Sequence, residues 1–410
     1  MMASTSAYTN PPLINALSLV VIMCCATNLP YAAMAAGGRR EASTVSGGDD
    51  VAQDMAMRAR YERWVAKHGR TYKDHAEKAR RYEVFRSNAE FVDSYNAAAV
   101  GARGKSSKSS PRLATNKFSD LTSEEFEAMY LNDNVGKVGR LISKRINGSI
   151  PGFMYGSLSE SDVPASRNWT AMGAVTAVKD QTDQCASCWA FSAVAAVEGI
   201  HAIRTGHLVS LSEQQLLDCS TGRKNRGCNK GDMEEAFLYI AGQEHRRRRN
   251  HSRVVPSATS GVFWNGGLSE ESAYPYLAVK SNCRALTKPA VAAIRGFQYV
   301  PANNETALRL AVSRQPVSVA LDATDLLFQF YSSGVYADAA GVVSCKNSSL
   351  NHALTAVGYG TDEHGTRYWL MKNSWGTGWG ERGYVKIARD VATDAAGVCG
   401  LAVQASYPVA

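Results

Sequence analysis

The sequence lacks the features that define several functional classes. No second Cys-x-x-Cys follows the pair Cys185/Cys188, so a four-cysteine zinc site is missing half its ligands, and neither a metal nor another cofactor is expected. Beyond the N-terminus no stretch approaches the roughly 18 apolar residues of a membrane-crossing helix, which argues against a membrane protein. The net charge of +8 is small for 410 residues, and much of it sits in one stretch, Arg246–Arg249 with Arg253. No aromatic residues interleave those arginines as a single-strand groove requires, so they read as a solvated loop and no nucleic-acid partner is expected. With 45% hydrophobic and 20% charged residues, the chain is composed like a globular protein of two or three core-bearing units.

What is present begins with an address. Leu13 to Ala26 (LINALSLVVIMCCA) is apolar but short for a membrane span, and Ala33-Met34-Ala35 fits a small-residue cleavage pattern, although the residues ahead of it lack Lys and Arg. Residues 1–35 are therefore expected to be a signal peptide. Sequons at Asn147, Asn168, Asn250, Asn304 and Asn347 are readable in the same compartment.

Of nine cysteines, Cys24 and Cys25 leave with that segment. Cys185, Cys188, Cys219, Cys228, Cys283, Cys345 and Cys399 remain, an odd number, which in an oxidising compartment implies one thiol left over. Counting does not say which one. A redox dithiol at Cys185/Cys188 would need a β-α-β setting, whereas the residues before it (VKDQTDQ) are polar and loop-like. Downstream, WAFSAVAAVEGIHAIRTG predicts a buried helix that begins at or near Cys188 and stops at Gly206. A thiol at a helix N-terminus meets unpaired N–H groups and the positive end of the dipole, which favour thiolate. His352 opens a strand-like run, and Asn373 follows some twenty residues later as an amide able to orient it. Together they supply the nucleophile, base and orienter of acyl transfer.

At this point the chain resembles the papain-like cysteine proteases, in their plant cathepsin L-like subtype. The matching stretches are Val178-Lys179-Asp180-Gln181, Cys185-x-Ser187-Cys188-Trp189-Ala190-Phe191, Leu211-Ser212-Glu213-Gln214-Gln215, Gly227-Cys228-Asn229, Asn351-His352-Ala353, Lys372-Asn373-Ser374-Trp375-Gly376 and Cys399-Gly400, in order. The resemblance implies an α+β, papain-like two-domain fold, a helical left domain and a β-barrel right domain, preceded by a helical inhibitory prodomain. The left domain is expected to include a helix over Leu211 to Asp218 opened by a Ser210-x-x-Glu213 capping box. It implies Cys188 as nucleophile, His352 as base and acid, Asn373 as orienter shielded by Trp375, and Gln181 with the Cys188 backbone N–H as oxyanion donors. It implies the disulfides Cys185–Cys228, Cys219–Cys283 and Cys345–Cys399, and a substrate pocket around Gly231, Asp232, Met233, Ala320, Leu350, Ala353, Trp375 and Gln404. The implied activity is a cysteine-type endopeptidase made as a secreted zymogen, in the vacuole or lysosome or outside the cell. Its expected partners are protein and peptide substrates, its own prodomain and cystatin-type inhibitors, with the enzyme itself a monomer. The alternative is a catalytically impaired papain-fold binding protein.

Glu77, Arg81, Phe85, Asn88, Val92 and Asn96 lie along one stripe of a helix and match the family's inhibitory signature, and Asn116-x-Phe118-x-Asp120 resembles its second motif. Asp120 is expected to be ionised and paired in the latent form, with its pKa lowered and its stabilisation lost as pH falls. Residues 51–135 are expected to form the prodomain, 136–162 a linker, and 163–410 the peptidase, with an insertion near 243–263. Three departures from the family stand out. The oxyanion loop Gln181-Thr182-Asp183-Gln184-Cys185 is one residue longer than usual and lacks its glycine, and Ala186 also replaces a glycine. Asp232 stands where a large apolar pocket residue is usual, so a preference for basic side chains competes with a helix-capping role.

Overall fold

The computed structural model describes residues 47–102, 111–132, 136–137, 149–222, 224–243, 266–336, 345, 349–391 and 395–410. The expected signal peptide, the sequons at Asn147, Asn250 and Asn347, and the Arg-rich insertion from residue 244 onward lie outside them. The chain divides into a unit ending at Ala56 and a unit from Met57 to Ala410; apart from the first helix, which begins before that boundary, all that follows concerns the second.

Two long helices, α1 (Gly47–His68) and α2 (His75–Ala102), come first. Tyr61 and Trp64 of α1 pack on Phe85 of α2, with ring centroids 5.2 Å apart in each case. The polar members of the stripe grip the extended chain that follows. Asn88 Nδ2 donates to the carbonyls of Ser119 and Leu121, Asn96 exchanges hydrogen bonds with the backbone of Leu113, and Arg81 donates to Asp120 O and Glu125. That extended chain carries β1 (Arg112–Leu113), the short helix α3 (Ser123–Tyr130) and β2 (Gly136–Lys137). A full capping box at Thr122 and Glu125 starts α3, because each side chain satisfies the other's free N–H.

After β3 (Arg167–Asn168) come α4 (Cys188–Thr205), α5 (Glu213–Cys219) and α6 (Met233–Ile240). α4 is apolar on most faces because it packs between α6 and the sheet strands β5 and β9. It ends at Gly206 in a left-handed conformation, φ +77°. Ser212, not Ser210, caps α5, accepting from Gln215 N, while Ser210 donates to Glu271.

The rest of the chain runs β4 (Gly296–Tyr299), α7 (Glu305–Val312), β5 (Val317–Leu321), α8 (Leu326–Gln329), β6 (Tyr331–Ser333), β7 (Val335–Tyr336), β8 (Ser349–Leu350), β9 (His352–Thr361), β10 (Arg367–Lys372), β11 (Tyr384–Ala388) and β12 (Ala405–Val409). The main sheet has the order β4-β12-β5-β9-β10-β11-β7, with β3 on β9, and only the β11/β7 pair is parallel along that path. Its end strands β4 and β7 do not pair. The half expected as a barrel is thus an unclosed sheet among the described residues, in a chain that mixes helices and sheet in the α+β manner. One core gathers Trp189, Val194, Leu216 and Phe237 around α4 to α6, and a larger one gathers Leu354, Trp369, Trp379 and Tyr407 on the sheet. The cleft lies where these halves meet, since His352 opens β9 beside the N-terminus of α4.

Candidate active site

Cys188 is the first residue of α4 and is fully buried. Its neighbour Cys185 is bonded to Cys228, and Cys219–Cys283 and Cys345–Cys399 form the other two bridges. Cys188 is therefore the free thiol among the described residues. His201 and His207 follow it at a spacing that a zinc finger would accept, but with Cys185 bridged no ligand set remains, and no metal-holding cluster occurs among the described residues.

His352 Nε2 lies 2.8 Å from Asn373 Oδ1, and the backbone N–H of Ser374 donates to the same oxygen at 2.7 Å. A backbone N–H can only donate, so this atom is the amide oxygen and Nε2 carries the ring proton. Nδ1, which has no protein partner, is then the nitrogen with a lone pair. Trp375 stacks on the imidazole with centroids 4.4 Å apart, closing one face to water.

Gln181 is buried, its N–H bonded to Ser374 O and its Oε1 accepting from Ser374 Oγ at 2.7 Å. Those bonds aim the amide nitrogen into the cleft. The longer loop bulges outward instead: Asp183 and Gln184 are exposed, and Thr182 takes the strain at φ +64°. Ala186 is not among the positive-φ residues, so the missing glycine there costs no left-handed strain.

The N-terminal segment fills this cleft. Tyr130 O accepts from Gln181 Nε2 at 3.2 Å, Asn132 Nδ2 donates to Gly231 O at 3.0 Å, and Asn132 N donates to Asn351 O. Gly136 and Lys137 then pair with Leu350 and Ser349, and further back Leu113 pairs with Tyr331. Phe118, Phe126 and Tyr130 meet Trp375 edge-on, with centroids 5.3, 5.4 and 6.3 Å away. Such cover changes the acid-base chemistry. Burial pushes the Cys188 thiol up to about 12 against the pull of the Ala353, Trp189 and Cys188 backbone amides, and burial pushes His352 down to about 4 against its bond to Asn373. The depressed thiol expected at the helix N-terminus is thus outweighed by desolvation in the covered form.

Met233, Ala320, Leu350 and Ala353 share one buried cluster with Cys188. Gly231 belongs with them for a steric reason, because a Cβ there would meet the Trp189 ring at 2.2 Å. Asp232 does not face the pocket as a free charge. It caps α6 by accepting from Glu234 N and Glu235 N, and it pairs with Lys224 at 2.6 Å. Burial raises its pKa, but Lys224 and these hydrogen bonds hold the carboxyl below its usual range. Gln404 donates to Glu234 at 2.8 Å, and burial together with the Asp232 charge keeps Glu234 well above the normal carboxyl range. Sequence reasoning missed Glu234, Tyr130 and Asn132. The only signal for the latter two was their place just after the second prodomain motif.

Residues 163–409 match the family model described as papain family cysteine protease, and residues 61–126 match the cathepsin propeptide inhibitor domain. The chain is 42% identical over 375 residues to the senescence-specific cysteine protease SAG39 of Oryza sativa subsp. japonica, spanning 90% of this chain and 95% of that one. To the cysteine proteinase EP-B 1 of Hordeum vulgare it is 43% identical over 364 residues, spanning 88% and 86%. Among solved structures it is similar to a recombinant stem bromelain precursor, with TM-score 0.68, 38% identity, and 86% and 99% of the two chains covered. The proform of the ragweed pollen allergen Amb a 11, a cysteine protease, gives TM-score 0.68 and 34% identity over 86% and 94%.

Proposed function

The chain belongs to the papain family of cysteine proteases, as a zymogen carrying its own propeptide inhibitor domain, and from that premise we propose that Cys188, His352, Asn373 and Gln181 perform its peptide-bond hydrolysis. Once the propeptide leaves, water re-enters and the penalty on charge falls. The Cys188 thiol passes its proton to His352 Nδ1, and Asn373 holds the ring by accepting from Nε2–H. The thiolate attacks the peptide carbonyl, and the resulting oxyanion is held by Gln181 Nε2 and the Cys188 backbone N–H. His352 returns its proton to the leaving amine, giving an acyl-thioenzyme. It then takes a proton from the water that releases the acid and frees the thiol. The observation that carries this assignment is the free thiol at the start of α4 together with His352, at the start of β9, bonded to Asn373 just past the end of β10.

We further propose a peptidase from about residue 163 onward, freed from the preceding segments after entry into the secretory pathway. Three disulfides and the apolar N-terminal run support that route. The vacuole and the cell exterior both fit it. A cleft built within one chain suits a monomeric enzyme, and cystatin-type inhibitors would compete for the space the propeptide vacates.

The test is acid activation of the purified proenzyme, followed by peptide hydrolysis and labelling with an epoxide inhibitor. Wild-type protein should hydrolyse and label at Cys188, and Cys188→Ala should do neither. Labelling that persists in Cys188→Ala would overturn the assignment.

A further inference from the structure

Behind the cleft, where α4 and α5 meet β9 and β10, lies a hollow of about 10 Å³. That is room for a single water molecule. Lys179, Ser192, Ala195, Glu213, Lys372 and Asn373 are among its walls. Two of these present buried polar atoms without a protein hydrogen-bond partner, Glu213 Oε2 and Asn373 Nδ2. One is an acceptor and the other a donor. A third wall residue, Lys372, donates to Thr176 Oγ1 and still has ammonium protons to give.

Glu213 belongs to a buried ionic cluster. Its Oε1 accepts from Lys179 Nζ at 2.8 Å, and the same ammonium contacts Glu198 at 3.2 Å and Glu271 at 3.1 Å. Lys372 Nζ lies 4.0 Å from Glu198. Tyr276, which feels the Glu213 charge, is bonded to Ser187 Oγ beside the proposed nucleophile and to Gln181 O. The proposed mechanism uses none of these charges. Lys179 satisfies Glu213 on one oxygen only, and Glu213 and Asn373 both line the hollow.

We propose that Glu213 is a positioning residue for Asn373, acting through one water bound in this hollow that accepts from Asn373 Nδ2 and donates to Glu213 Oε2. The site takes water rather than an ion or a larger ligand because of its volume and its matched donor and acceptor. Its function follows from Asn373. The amide oxygen is fixed by Ser374 N–H and His352, and fixing the amide nitrogen as well stops the plane from rotating about its last bond. His352 is then held at one angle, as the proposed proton exchange between its Nδ1 and Cys188 requires.

The inference rests on the triad reading, and the test separates the two. Activated Asn373→Ala, Glu213→Gln and the double variant are compared by the pH profile of kcat/KM. Each single change should lower kcat/KM on the order of ten- to a hundredfold, with the alkaline limb moved to lower pH as the imidazolium loses its support. The double variant should match Asn373→Ala alone, since Glu213 acts through that residue. An effect of Glu213→Gln that adds in full to Asn373→Ala overturns the proposal, as does a lowered Tm with an unchanged pH profile. An unchanged profile in Asn373→Ala itself overturns the triad reading and the proposal together. Should Glu213→Gln fail to fold, Ala195→Val fills the hollow and keeps every charge. It should give the same shift, and an unshifted profile counts against the proposal. A crystal structure of the activated enzyme should show one water within bonding distance of both atoms, and its absence in well-defined density refutes the bridge.

Discussion

The backbone oxygen of Tyr130 accepts the side-chain amide of Gln181 at 3.2 Å, so the propeptide places a carbonyl on the group proposed above as an oxyanion donor. On that assignment the propeptide inhibits chemically as well as sterically. The bond holds the donor in place, and the same segment shuts water from Cys188 and His352.

The first prediction concerns thiol reactivity. With Cys188 pushed up to about 12 and His352 down to about 4, both by burial, neither carries charge near neutral pH in the covered form. The thiolate fraction at pH 7 is then on the order of 10⁻⁵. Alkylation by iodoacetamide should be at least about a hundredfold slower in the proenzyme than in the activated enzyme. Equal rates in the two forms would show that the propeptide does not control the thiol.

Acid release should depend on Glu125 more than on Asp120. Burial raises Asp120, and Arg70, Tyr72 and Arg81 only partly oppose it, so its folded value lies above the ordinary one. A carboxyl raised on folding gains stability as pH falls through its folded value, which is the wrong sign for release and corrects the expectation of a lowered, paired Asp120. For Glu125 burial also raises, but the Thr122 N–H and Arg81 outweigh it and the net shift is down. Its contribution is present above the ordinary carboxyl value and is lost as pH falls through the depressed one. Glu125→Gln should therefore move the midpoint of processing to higher pH, whereas Asp120→Asn should not. Midpoints followed by gel across a pH series decide between them.

How much of this was legible in the sequence varied with the range of the forces involved. The motifs around Cys188, His352 and Asn373 and the Gly206 stop are each local patterns; the structure pairs His352 with Asn373 and puts Cys188 in one buried cluster with Ala353, beside that histidine in sequence. Asp120 was misjudged because burial raises its pKa by more than Arg70, Tyr72 and Arg81 lower it, a balance that spacing along α2 does not encode. Ser210 was taken as the cap of α5 because Ser210-x-x-Glu213 fits the pattern. Glu271, sixty-one positions away in sequence, claims its hydroxyl. The closing of a sheet is likewise a property of strand partners, and no strand sequence states it.

Asp232 yields the next prediction. Replacing it with leucine removes an N-cap that costs about 1 to 2 kcal/mol on loss and leaves Lys224 without its buried partner. The variant should melt lower, while the ratio of basic to apolar preference in a peptide library should stay as it was. A collapse of basic preference in Asp232→Leu would restore the pocket role that its position suggested.

The longer oxyanion loop gives the last prediction. A Thr at φ +64° is a β-branched residue in a region that suits glycine, a strain on the order of 1 kcal/mol or more. Thr182→Gly should stabilise the activated enzyme by about 0.5 to 1 kcal/mol once the entropy of the added glycine is set against the relief. Ala186→Gly should bring no such gain, because its backbone does not enter the left-handed region. Turnover is a separate matter. Gln181 is pinned by two bonds to Ser374 on one side, and Cys185 by its bridge to Cys228 on the other. The extra residue therefore bulges toward solvent instead of moving the donor, and the loss of roughly 100- to 1000-fold that follows a misplaced oxyanion donor should not occur. Acylation rates of wild type, Thr182→Gly and a variant with Thr182-Asp183 replaced by one glycine should agree within about threefold, against that scale. A shortened loop that acylates a hundredfold faster would mean that Gln181 leaves its position when the Tyr130 carbonyl departs.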